Sequence, residues 1–145
     1  MKHKTLAEND GARSLALILD AGEEAFEAIS RFAREQNIQS ASLSAIGAFE
    51  YATVGWFDLE TKHYHEIPVR QQCEVLSAIG DIALDDTGKP ALHIHAVLGL
   101  SDGTTRGGHF LDGLVRPTLE VTVHETPATL RRKRNAEFGI SLIDI

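Results

Sequence analysis

The apolar positions of this chain fall into one helical stretch and a series of strand-like runs. Ser14–Leu19 (SLALIL) is a short continuous apolar run of strand length, ended by Asp20-Ala21-Gly22. From Glu23 to Gln36 the spacing changes. Ala25, Phe26, Ile29, Phe32 and Ala33 recur at helical intervals, which predicts one helix with that face turned inward. Glu23 and Glu24 stand in its first turn and Arg31 and Arg34 near its end, as the helix dipole favours.

Beyond the helix the period is that of strands. Gln39–Ile46 alternates, with Ala41, Leu43 and Ala45 on one side, and Gly47 interrupts it as at a bend or bulge. Tyr51–Phe57, His63–Val69, Glu74–Leu84, Leu92–Gly99 and Leu119–Glu125 follow, and Gly139–Ile145 reads as a last strand. Asp58–Lys62 reads as a hairpin loop, and Asp85–Pro90 and Ser101–Thr104 as turns. One helix followed by many strands gives an α+β fold: a compact single domain with a central, mainly antiparallel sheet and the helix packed on it. Residues 1–12 are polar and read as a flexible segment ahead of a domain spanning 13–145.

Composition narrows the function. At 145 residues, with 43% hydrophobic and 24% charged positions, the chain is sized and composed to bury its own core. The net charge of −7 works against phosphate backbones unless the basic residues are gathered in one place. One such run exists, Arg131-Arg132-Lys133-Arg134, which reads either as a phosphate-contacting patch or as a solvated face. Cys73 is the single cysteine, so neither an intrachain disulfide nor a thiolate zinc site can form within one chain; this fits a cytoplasmic protein. No apolar run approaches the ~20 residues that a membrane helix needs.

The chemistry lies with the histidines. His93-Ile94-His95 sits in a strand that is apolar on both faces, with Ala91, Val97 and Gly99 on the side of the histidines. Residues two apart on a strand point the same way, so this pair can offer two imidazoles to one metal ion. Gly107-Gly108 precedes His109, and two glycines permit the close backbone approach that would aim a third imidazole at the pair. Three neutral imidazoles with an open fourth position suit zinc and related divalent ions. The same residues also read as core histidines satisfied by backbone carbonyls, or as exposed histidines near a turn. A second pair, His63-Tyr64-His65, follows a charged loop and reads as an exposed edge. Glu120 is the candidate partner or general base for a histidine, or else a solvated strand carboxylate.

The ordered motifs resemble a known family. They are Asp20–Glu24 before the helix, ASLSAIGAF at 41–49, EVLSAIGD at 74–81, LHIHA at 92–96, GGHFLDG at 107–113 and TLEV at 118–121. Together they resemble the PPC domain, the plants and prokaryotes domain of AT-hook nuclear proteins and their stand-alone prokaryotic relatives, over about residues 13–126. The resemblance implies a compact domain with a mainly antiparallel sheet, a homotrimer, and metal ligation by His93, His95 and His109. If the subunits of such a trimer meet near the histidines, Trp56 or Glu74 of a neighbour would complete the pocket, which is then a site for a small-molecule ligand. DNA binding in plant members rests on an Arg-Gly-Arg-Pro hook that this sequence lacks, and the chain reads Gln71-Gln72-Cys73-Glu74 where plant members have Gly-Arg-Phe-Glu. Two expectations follow: a metal-binding trimer with a small-molecule site, or a DNA-associated regulatory or interaction module.

Overall fold

The computed structural model describes residues 1–145. Strand β1 (Lys2–Asn9) leads through a two-residue turn into β2 (Ala12–Asp20), which is followed by helix α1 (Ala25–Glu35). The remaining strands are β3 (Ser40–Asp58), β4 (His63–Val69), β5 (Cys73–Leu84), β6 (Pro90–Gly99), β7 (Thr105–Glu125), β8 (Arg131–Arg134) and β9 (Ser141–Asp144). All pairings are antiparallel except the single rung between β5 and β8. This is the α+β architecture that the periodicity predicts.

Two long strands organise the sheet. The sequence reads β3 as two pieces, Gln39–Ile46 and Tyr51–Phe57, and only the Leu119–Glu125 end of β7, but each is one long strand. β3 bends at Gly47, whose φ is 149° and where a Cβ would lie 2.3 Å from the Thr118 carbonyl oxygen. A side chain there would collide with β7, so glycine lets the two strands close. The first half of β3 pairs with β5 and with the end of β7, and its second half pairs with β4 and the start of β7. β6 then joins β5 to β7, completing a circuit β3–β5–β6–β7–β3. The sheet therefore curls around its own core.

Helix α1 fills the inner face. Ala25, Ala28, Ile29, Phe32 and Ala33 are buried, and Phe26 packs beside Phe110 with ring centroids 6.4 Å apart. Ile29 meets Leu43, Ala45, Phe49, Ala78, Ile94, Phe110 and Leu119 around one small apolar void. The Glu24 carboxylate caps the helix by accepting from the Phe26 and Glu27 backbone N–H groups at 3.0 and 2.7 Å. It also accepts from the Gly113 N–H, which ties the helix start to β7.

The N-terminal segment corrects the sequence expectation. Residues 2–9 are not a loose tail; they form β1, hydrogen-bonded along β2. All eight side chains are exposed, so the strand carries no apolar alternation and is held by its ladder. Asp10 and Gly11, with φ of 47° and 80°, form the turn. The His3 ring lies 5.1 Å from that of Phe32, and the terminal ammonium pairs with Asp20 and Glu23 at 2.8 and 2.9 Å. The chain contains no helix long and apolar enough to cross a membrane.

Candidate metal centre

The curl of the sheet brings the three histidines together. On β6, Leu92, Ile94, Ala96 and Leu98 face the core, so His93 and His95 face outward. His95 stands directly opposite His109 in the β6–β7 register. One ring nitrogen from each of His93, His95 and His109 lies within 4.8 Å of the others. The ring centroids are 5.0–5.4 Å apart, and the Nε2 atoms of His93 and His95 are 3.2 Å apart.

Glycines make this approach possible. A Cβ at Gly108 would lie 2.4 Å from the Gly55 carbonyl oxygen, and one at Gly107 would lie 3.2 Å from that of Ala96. Gly80 does the same across β5 and β6, where a Cβ would meet the His93 carbonyl oxygen at 2.1 Å. The bare Gly55 leaves space for the Tyr64 ring, which stacks on His109 at 4.9 Å between centroids. Trp56, one residue on, faces the other way and packs against His65 at 5.8 Å.

The electrostatics favour ligation. Burial, reinforced by His93, His95 and Arg132, pushes the His109 imidazole down to about 4, so it is neutral at ordinary pH. Burial and then His93 also lower His95. His109 Nδ1 is buried without a hydrogen-bond partner. An unpaired buried ring nitrogen among clustered imidazoles is a costly arrangement unless something accepts its lone pair. These residues therefore fit a divalent ion held through nitrogen.

The carboxylate at the site is Asp81, which sequence reasoning quoted within a motif and gave no role. It pairs with His93 across β5 and β6, and its Oδ2 lies 3.8 Å from His93 Nδ1. Since His93 Nε2 faces His95, the two nitrogens of His93 are divided between the cluster and Asp81. At 3.8 Å the carboxylate is an ionic neighbour of His93 rather than a hydrogen-bond partner, on the side where a carboxylate orients a ligating histidine. Burial raises the Asp81 carboxyl, but His93 and Arg132 outweigh that effect and hold it below its ordinary range.

The other sequence candidates fall elsewhere. Glu120 pairs with Ile46 on β3 and lines a different groove with Ser44, Ser77 and Thr122. At Glu120 the neighbours of β7 are β2 and β3, whereas β6 pairs only with its other end at residues 105–109, so Glu120 stands apart from the histidine cluster within the chain. Glu74 lines a cleft with Gln71, Gln72, Cys73, Gly99, Leu100 and Ser101. His63 and His65 are exposed; His65 faces Asp58 at 3.3 Å and His63 Nδ1 lies 2.8 Å from the Lys62 carbonyl. The basic run is split: Arg131 and Arg134 are exposed, Lys133 pairs with Asp144, and Arg132 is buried against Asp81. Arg132 is thus neither a solvated charge nor a free phosphate contact, and nothing in the uniformly basic run distinguishes it from its exposed neighbours.

Comparison with known proteins places this architecture. A PPC protein from Pyrococcus horikoshii is 30% identical, with 92% of each chain covered and a TM-score of 0.85. A metal-containing protein from Archaeoglobus fulgidus is 32% identical, with 98% of each chain covered and a TM-score of 0.83. A protein from Bacteroides thetaiotaomicron, whose name gives it a provisional DNA-binding role, is 25% identical, with 98% and 96% covered and a TM-score of 0.86. No curated protein matches the chain. The family model of the Plants and Prokaryotes Conserved (PCC) domain matches residues 6–127, which include all three histidines and Asp81, and the chain belongs to that family.

Proposed function

We propose that this protein is a homotrimeric divalent-metal protein, binding zinc through His93, His95 and His109 at a site for a small-molecule ligand. The observation that carries the reading is the convergence of three ring nitrogens within 4.8 Å, with the half-buried His109 also holding a buried, unpaired Nδ1. Nitrogen donors in this number suit zinc and leave a coordination position open. A metal so bound supplies Lewis acidity toward a ligand or a water molecule. The relative from Archaeoglobus fulgidus, described as metal-containing, supports the reading. A single buried thiol, Cys73, accords with a cytoplasmic setting.

Assembly is part of the proposal. Ile46, Leu76, Ile79 and Val97 are exposed, and Ile79 stands opposite His95 on the neighbouring strand. Apolar side chains beside a metal site are suited to burial under another subunit. Three copies meeting through unlike patches would close a ring. A neighbour's Trp56 or Glu74 would then supply the wall that the single chain lacks around its histidines.

Elemental analysis of protein purified after metal-replete growth tests the site: about one divalent ion per chain is expected, and its absence contradicts the reading. Light scattering tests the assembly, where a monomer mass at micromolar concentration rejects the trimer.

The relatives named for DNA binding support a second reading, a DNA-associated module. With only Arg131 and Arg134 free in the basic run, direct phosphate contacts from it are about two, giving a salt slope near −2 in log–log form. A gel shift at low salt that weakens with that slope supports this reading, and no shift rejects direct binding.

A further inference from the structure

The C-terminal hairpin, β8–β9, lies beyond the residues matched by the family model, yet one of its side chains reaches the metal centre. Its backbone meets the body at one rung, Leu84 with Arg131, with the Leu84 N–H donating to the Leu130 carbonyl at 2.9 Å. Arg132 then turns inward. Its side chain is 8% exposed, whereas that of Lys133 beside it is 69% exposed. Nη2 of Arg132 donates to Asp81 Oδ1, and Nη1 lies 3.4 Å from the Ser141 carbonyl. The Asp81 oxygens are thereby divided: Oδ1 takes Arg132, while Oδ2 faces His93 Nδ1 at 3.8 Å.

We propose that Arg132 is a positioning residue of the metal centre: it fixes the Asp81 carboxylate, which orients His93, so that docking of the C-terminal hairpin sets the affinity of the three-histidine site. The proposal rests on the metal reading for its consequence, but the orientation of His93 by Asp81 and Arg132 can be measured without metal.

Three observations carry it. Arg132 is buried with Nε left unpartnered, a costly state for a residue whose only role is to pin a hairpin. An apolar side chain of similar volume often replaces a buried ion pair at no loss of stability. Second, Asp81 is opposite His93 in register and a third exposed, so without Arg132 its carboxylate can rotate toward water. Third, His93 directs Nε2 at His95 and turns Nδ1 toward Asp81 at 3.8 Å, close enough that a small shift of the carboxylate would bring it within hydrogen-bond reach of Nδ1.

The test compares the full-length wild type with R132M, D81N and the double variant. Zinc affinity is measured by competition with a chromophoric chelator, and the His93 tautomer by imidazole nitrogen NMR of the metal-free proteins at mildly alkaline pH. R132M is expected to bind zinc about 10- to 100-fold more weakly than the wild type, as does D81N, with the double variant no weaker than D81N. The Nδ1–H preference of His93 is expected to fall in both single variants. Wild-type zinc affinity and tautomer in a folded R132M overturn the proposal, as do losses that simply multiply in the double variant. A change in thermal stability alone marks Arg132 as a hairpin clamp and also overturns it. If R132M does not fold, R132Q, which keeps a donor for the Ser141 carbonyl while dropping the charge, carries the same expectations. Absence of zinc binding by the wild type sinks the metal reading; the tautomer measurement then judges the positioning role separately.

Discussion

The chain carries the pattern histidine–any residue–histidine on two strands, and the structure treats the two differently. On β6, His93 and His95 flank a buried Ile94, face Asp81 and Ile79 on one neighbouring strand, and meet His109 on the other. On β4, His63 and His65 flank Tyr64 on a strand paired only with β3, and both are exposed. The spacing is the same. What differs is the number of neighbouring strands: an inner strand can receive ligands from both sides, whereas a strand with one partner has one side open to solvent. The middle residue of the β4 pattern is the one that reaches the site, through Tyr64 stacked on His109.

The largest expected contrast is between ligand substitutions in the two pairs. H95A or H109A should reduce zinc affinity by more than the 10- to 100-fold typical of an outer-shell partner, while H63A with H65A together should leave it within a few-fold. Chelator competition reads both. Equal losses from the two pairs would erase the distinction drawn here.

Next in size are the glycines that let the β6 site close. G80A and G108A should each destabilise the protein by about 1–3 kcal/mol and weaken metal binding, since their new Cβ atoms would meet backbone oxygen. G55A should be milder, because its Cβ first meets the Tyr64 ring and the Leu111 side chain, which can shift. Thermal melts with and without zinc rank the three, and a G55A defect larger than that of G80A would contradict the backbone-closure account.

Acid should also discriminate. The folded-state value for His109 is about 4 against an ordinary 6.5, so the unfolded chain takes up this proton first. The metal-free protein therefore keeps the full contribution of a neutral His109 above about pH 6.5 and loses it progressively as the pH falls toward about 4. H109Q should flatten that slope in denaturant titrations across this window. An unchanged slope would mean that His109 is not buried as described. The smallest effect expected is from Y64L, which removes the ring stacked on His109 and should cost about 0.5–1.5 kcal/mol.

Much of this was legible in the sequence. The inward face of the helix, the bend at Gly47 and the same-side projection of His93 and His95 follow from periodicity and glycine placement. Other features were not legible because they depend on partners far away in the chain. β1 has no apolar alternation, although Asp10-Gly11 is a turn signal flanking it. Arg132 looked like its charged neighbours, and only its side-chain contact with Asp81 sets it apart. Glu120 lies on the same strand as His109, but at the end of β7 that pairs with β2 and β3 and away from β6.

The central claim is that His93, His95 and His109 form one metal site, and metal content per chain tests it most directly. Wild-type protein grown with ample zinc, together with H93A, H95A and H109A, would be dialysed and measured by elemental analysis. The account predicts about one zinc per chain in the wild type and loss of that ion in each folded variant. A metal-free wild type, or variants that retain the same zinc content, would contradict it.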